Sequence, residues 1–194
     1  MPLIYSFPKE HTDSQNYYYF TDALTEFERQ RLFMNVGFIQ DERASTVSND
    51  TSVRSSIVKW IRPTEGWEWL FTKMMDMAST ANSSLWKFDL HTAPEAIQYT
   101  EYHASEGGHY NWHQDIGPGM LSLRKVSITV QLSDPSEYEG GELQIWQGGD
   151  EPINAPKGKG TVVVFPSYMM HRVTRVTSGV RKSLVLWVGG EHYR

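Results

Sequence analysis

The sequence predicts an α+β fold, helices first and strands after, on three observations. Apolar residues recur at helical spacing in two stretches before residue 95. Beyond about Glu95 the period changes to strict alternation. The alternating runs are separated at regular intervals by Gly/Pro turns, the pattern of a sandwich or barrel with the helices laid on one outer face of a sheet.

The first helix is announced by Thr25-Glu26-Phe27-Glu28, a capping box in which the hydroxyl caps the first turn and Glu28 reaches back; it is expected to run to Asn35. The second spans Trp67 to Asn82, where Trp67, Leu70, Phe71, Met74, Met77, Ala78 and Ala81 form one apolar stripe and so read as core. The strands follow in "KVSITVQL" (125–132), "GELQIW" (141–146), "GTVVVFPS" (160–167) and "RKSLVLWVGG" (181–190), set between "IGPG", "SDPSEYEGG", "QGGDEP", "APKGKG" and "TSG". No repeat, low-complexity tract or linker divides the chain. The expectation is one domain over 1–194, with helical support over about 20–95 and a strand core over about 96–190.

Composition removes several function classes. A formal net charge of −5 gives no basic stripe for nucleic acid or an anionic membrane. The absence of cysteine excludes disulfides, thiolate catalysis and zinc–thiolate sites, so any metal must be held by nitrogen and oxygen. "MPLIYSFPKEH" is not a secretory leader and no run approaches the ~20 apolar residues of a membrane span, so the expected location is cytoplasmic.

One alternating strand carries more than a core. In "KVSITVQL" the aliphatic face packs beneath helices, while Ser127, Thr129 and Gln131 are too polar for a dry core and too short for an ordinary solvent face. In "RKSLVLW", Arg181, Ser183, Val185 and Trp187 share a face. Polar groups among aliphatic and aromatic walls are what a small-ligand pocket requires.

In "YNWHQDIGPG", His113 and Asp115 stand at i and i+2 and point to one side of an extended segment. His171, just past "VVVFPSYMM", is the candidate third ligand. Two imidazoles and a carboxylate on one face of a cation leave the other face open, as in non-haem Fe(II) oxygenases. Hydrolytic zinc uses the same donors, but no His-Glu-x-x-His helix supplies its general base. Arg181 follows His171 by ten positions. Alone it is explained by an internal acid or by solvent; beside an open ferrous site its planar fork suits the distal carboxylate of a chelating 2-oxo acid.

These motifs come in the order "YTEYHASEGGHYNWHQD", "VSITVQLSD", "EGGELQIW", "GKGTVVVFPSYMMHRV" and "SGVRKSLVLWVGG", with "RSSIVKWI" and "WKFDL" upstream. So arranged, the chain resembles the Fe(II)- and 2-oxoglutarate-dependent dioxygenases of the prolyl-4-hydroxylase-like branch, over roughly residues 20 to 190. The resemblance implies a double-stranded β-helix core of jelly-roll, cupin-like form. It makes His113, Asp115 and His171 the iron ligands and Arg181 the anchor of 2-oxoglutarate, all four counted as catalytic. By the same likeness Leu143, Val173, Val185 and Trp187 line the pocket, and Thr129 and Gln131 stand where relatives present a polar partner to the co-substrate. Tyr99, Tyr102 and Tyr110 are the candidates on the approach to the metal. O2 is the second co-substrate, with ascorbate admissible as a reductant. Aspartate at 115 leaves no halide position, so hydroxylation is implied.

For the substrate, the likeness implies a prolyl residue in a peptide or protein. A free amino acid or other small metabolite is the alternative, and a non-catalytic jelly-roll binding module is the alternative of another class. The polar segment 40–56 reads as a surface loop, with a lid at the site mouth as the alternative, and Trp60, Trp67, Trp69 and Trp112 are aromatics able to meet a proline ring.

Overall fold

The computed structural model describes residues 16–43, 52–64 and 66–191. The stretch 1–15 and the middle of the polar loop, 44–51, lie outside the described residues, so the lid alternative falls there too.

The first helix, α1, runs over Glu26–Val36, and both halves of its capping box are present: Thr25 Oγ1 accepts from the Glu28 N–H and Glu28 accepts from the Thr25 N–H. Glu28 is also held by Lys73 Nζ at 2.6 Å, which ties α1 to the second helix, α2 (Glu68–Ser84). Thr25→Ala should cost about 1 kcal/mol in urea unfolding. Burial works against the Glu28 charge, but Lys73 and Thr25 together hold its carboxyl below the ordinary value. On acidification the unfolded chain therefore takes up this proton first, and the stability Glu28 contributes above the ordinary glutamate value drains away as the pH falls through it. Between about pH 7 and about pH 3.5 the parent should lose more stability than Glu28→Gln, measured by urea midpoints.

The strands are, in chain order, β1 (Tyr18–Phe20), β2 (Glu42–Arg43), β3 (Arg54–Ser55), β4 (Ile57–Ile61), β5 (Leu90–Thr92), β6 (Ile97–His103), β7 (His109–His113), β8 (Arg124–Gln131), β9 (Tyr138–Gly140), β10 (Leu143–Ile145), β11 (Ile153–Asn154), β12 (Val162–Pro166), β13 (His171–Val173) and β14 (Val176–Gly190). A major sheet runs β1-β12-β8-β14-β6-β4-β2, with β5 and β9 also paired to β14. A minor sheet runs β11-β10-β13-β7-β3. All the pairings are antiparallel.

Alternation on β8 sets the layering. Val126, Ile128 and Val130 are fully buried in one core cluster with Leu32 and Val36 of α1 and Leu70, Met74, Ala78 and Ala81 of α2. The helices thus cover one outer face of the major sheet, as expected. Ser127, Thr129 and Gln131 point the other way, toward the minor sheet, and are buried too. Five early strands, β1 to β5, were not expected. Four of them are only two or three residues long, and β4 reads "IVKWI" without a clean alternation. Such segments are strands because a neighbour pairs with them, a signal absent from local period.

Candidate metal centre

The antiparallel register of β7 on β13 sets His113 opposite His171. Asp115, two residues past the end of β7, is pinned there because its N–H donates to the Ser167 carbonyl at 2.9 Å. One potential ligand atom from each of these three residues lies within 4.8 Å of the others, and all three side chains are largely buried.

Each imidazole is oriented by its own backbone. His113 Nδ1 lies 2.7 Å from the Asn111 carbonyl and His171 Nδ1 lies 2.9 Å from that of Met169. A carbonyl only accepts, so Nδ1 carries the proton and Nε2 presents its lone pair to the cavity. Nε2 of His113 is 3.7 Å from Asp115 Oδ1 and that of His171 is 3.6 Å from Oδ2, beyond hydrogen-bond reach. The three groups face one another at a separation that could hold a metal ion between them. Burial, and then the neighbouring His171, push the His113 imidazole down to about 3 against the pull of Asp115. Burial opposes the Asp115 charge, but His171, His113 and the Ser127 hydroxyl hold it below the ordinary carboxylate value. Neutral imidazoles beside an ionised carboxylate are the ligating forms.

Ser127 donates to Asp115 Oδ2 at 2.7 Å and stands 2.9 Å from Ser167 Oγ, all buried. Arg124, clamped by Glu95, donates from Nη1 to the Asp115 carbonyl and stacks 3.7 Å above the Trp187 ring. Ser127→Ala should leave the fold intact and weaken metal binding by roughly 10–100-fold, read by competition with a chelator.

The sheets enclose a cavity of about 540 Å3 that holds the triad and, on its major-sheet wall, Arg181. That guanidinium is 1% exposed. It donates to Gln131 Oε1 (2.9 Å) and Ser183 Oγ (3.3 Å), lies 5.5 Å over the Tyr102 ring, and leaves Nε without a partner. Among the described residues no carboxylate comes within ion-pair distance of it, which removes the internal acid as its explanation. Gly141, at φ +60°, makes room: a Cβ there would lie 2.9 Å from Arg181 Cδ.

Thr129, Leu143, Val173, Val185 and Trp187 line this cavity, as do Tyr102 and Tyr110. Gln131 does not line the wall; it stands behind Arg181 and orients it. Tyr99 is a correction. It alternates out of phase with Tyr102 on β6, packs into the helix-covered core and donates to Glu101 at 2.7 Å. Of the tryptophans, Trp60 lines the cavity, Trp67 and Trp69 pack against the helical core, and Trp112 stacks edge-on to Trp146 beneath Arg172, away from it. Two cationic wall residues were missed, Arg54 and Arg124. An arginine on a two-residue strand or at a strand start carries no periodic signal, and only its i+2 neighbour Ser56 hinted that Arg54 points inward.

Comparison with known proteins gives the same answer. Residues 97–189 match the model of the 2OG-Fe(II) oxygenase superfamily. A PKHD-type hydroxylase of Synechococcus sp. (strain CC9605) is 40% identical over 85 residues, 44% of this chain and 38% of the relative. One of Teredinibacter turnerae is 37% identical over 102 residues, 49% and 44% of the two chains. The matched stretch thus spans less than half the length of these curated relatives. A Trichoplax adhaerens prolyl hydroxylase, solved with a hypoxia inducible factor oxygen degradation domain peptide fragment, superposes with TM-score 0.75 at 16% identity over 90% of this chain and 84% of that one. A Pseudomonas putida prolyl-4-hydroxylase gives 0.67 at 20% identity over 91% and 93%. These two establish the double-stranded β-helix fold. The likeness to the 2OG-Fe(II) oxygenase superfamily thus covers residues 97–189, the segment that carries His113, Asp115, His171 and Arg181.

Proposed function

We propose that this chain, acting as one domain, is an Fe(II)- and 2-oxoglutarate-dependent dioxygenase that hydroxylates an unactivated C–H, with a prolyl residue of a peptide or protein as substrate. In this reading His113, Asp115 and His171 hold the iron, Arg181 takes the distal carboxylate of 2-oxoglutarate, and Tyr102, Thr129 and Trp187 shape its pocket. Bound iron and 2-oxoglutarate supply an O2-dependent oxidation that ends in succinate, CO2 and a hydroxylated carbon. The protein's own part is positional. The histidine-to-carbonyl hydrogen bonds fix Nε2, Ser127 and Arg124 hold Asp115, and the apolar walls exclude water.

The observation that carries the reading is a buried arginine, without an acid partner among the described residues, in the cavity of a His-Asp-His cluster. A non-catalytic binding module has no use for that pairing. The prolyl assignment leans on the likeness to prolyl hydroxylases. A cavity of about 540 Å3 also suits a whole small molecule, which keeps a free amino acid as the second reading. Succinate release over a panel of proline-containing peptides and free amino acids separates the two, and a panel in which no member stimulates succinate release above the uncoupled background contradicts both.

A further inference from the structure

Besides Arg181 and the Glu95-paired Arg124, the cavity contains a further buried cation that the proposed co-substrate does not account for. Arg54 lies on β3, at the edge of the minor sheet and across the cavity from Arg181, in register with Tyr110 of β7. Only 9% of it is exposed, and it lines the cavity. Its Nε donates to Ser56 Oγ at 2.9 Å, and its guanidinium carbon sits 4.6 Å from the Tyr110 ring centroid. Nη2 is buried and has no hydrogen-bond partner among the described residues. Among the described residues it makes no ion pair, although Glu42 and Asp115 both line the same cavity.

An arginine desolvated to this degree is costly without an anion, and stacking on an aromatic face offsets only part of that cost. 2-Oxoglutarate brings two carboxylates, one for the metal and one for Arg181, so it leaves nothing for Arg54. Tyr110 in turn stacks on His113, with ring centroids 3.5 Å apart and 13° between planes. Arg54 is thus one aromatic ring removed from a proposed iron ligand, where a group attached close to the reacting carbon would come to rest. Resting on the function proposed above, we propose that Arg54 is the substrate-reading residue of this site and that the substrate carries a carboxylate near the carbon that is hydroxylated. The carboxylate belongs to a free amino acid, a chain terminus or an acidic side chain beside the target residue, and the planar fork of Arg54 takes it through Nη2.

The test is calorimetric titration of the full chain under anaerobic conditions with Fe(II) and 2-oxoglutarate, so that binding is read without turnover. Three matched pairs serve as probes: proline and prolinamide, N-acetylproline and N-acetylprolinamide, and capped tetrapeptides Gly-Pro-Glu-Gly and Gly-Pro-Gln-Gly. At least one carboxylate member should bind tenfold or more tightly than its neutral partner, and the pair that does so identifies the source of the carboxylate. Arg54→Gln should erase that preference while retaining the visible absorption band of the iron–2-oxoglutarate complex. The parent comparison stands on its own if the variant does not fold. Equal binding within all three pairs, or a preference that survives in Arg54→Gln, overturns the inference while the band still supports the oxygenase. A parent without the band overturns the oxygenase itself, and this inference with it.

Discussion

Replacing His171 with alanine should abolish ferrous binding and leave no trace of the anaerobic absorption band with 2-oxoglutarate. The residue is 6% exposed, is packed against Phe165 with ring centroids 4.7 Å apart, and is fixed by the Met169 carbonyl, so its Nε2 has no freedom to be replaced by a neighbour. His113 and Asp115 alone offer two donors, and loss of a direct ligand costs more than the roughly 10–100-fold of losing an outer partner. Metal content after anaerobic loading and desalting checks it: near one iron per chain in the parent and near none in the variant.

The second large effect has opposite signs on binding and stability. Arg181→Met should cost about 2–5 kcal/mol of 2-oxoglutarate binding, roughly 30- to 5,000-fold in affinity, because the distal carboxylate would be buried without a cation. The same change should raise the stability of the ligand-free protein by about 1–4 kcal/mol, since it removes a buried charge that has no acid partner among the described residues, and an orphaned Nε. An apolar chain of similar length keeps contact with the wall near Gly141 and Tyr102. Thermal unfolding with and without 2-oxoglutarate shows both: the parent melts lower when empty and rises with ligand, and the variant melts higher and does not respond. A variant destabilised in the empty state would mean that Arg181 has a structural role, through Gln131 and Ser183.

Much of this was legible in the chain because its signals are local. Thr25 and Glu28 cap α1 through neighbours three residues apart, and β8 alternates over eight residues, so its aliphatic face, polar face and layer could all be read. His113 and Asp115 were readable as candidates because i and i+2 in an extended segment share a side, although their convergence with His171 depends on the β7–β13 register. What was hidden depends on partners distant in sequence. Ser127 reaches Asp115 across 12 residues, Glu95 clamps Arg124 across 29, and β3 is a strand only because β7 lies beside it. Tyr99 was misplaced for a related reason. Tyr99 and Tyr102 lie three apart on one strand, so they must face opposite sides, and only the cross-strand register shows that the even-numbered residues of β6 face the cavity.

His113, Asp115 and His171 are proposed to hold one iron while Arg181 anchors a 2-oxo acid beside it. Anaerobic titration of 2-oxoglutarate into the iron-loaded chain, followed by visible absorption, tests both halves in a single cuvette. The expected result is a saturable charge-transfer band in the parent, its loss in His171→Ala, and a band requiring roughly a hundredfold more 2-oxoglutarate in Arg181→Met. A parent that takes up iron and shows no band at saturating 2-oxoglutarate, or an Arg181→Met variant that titrates like the parent, would contradict it.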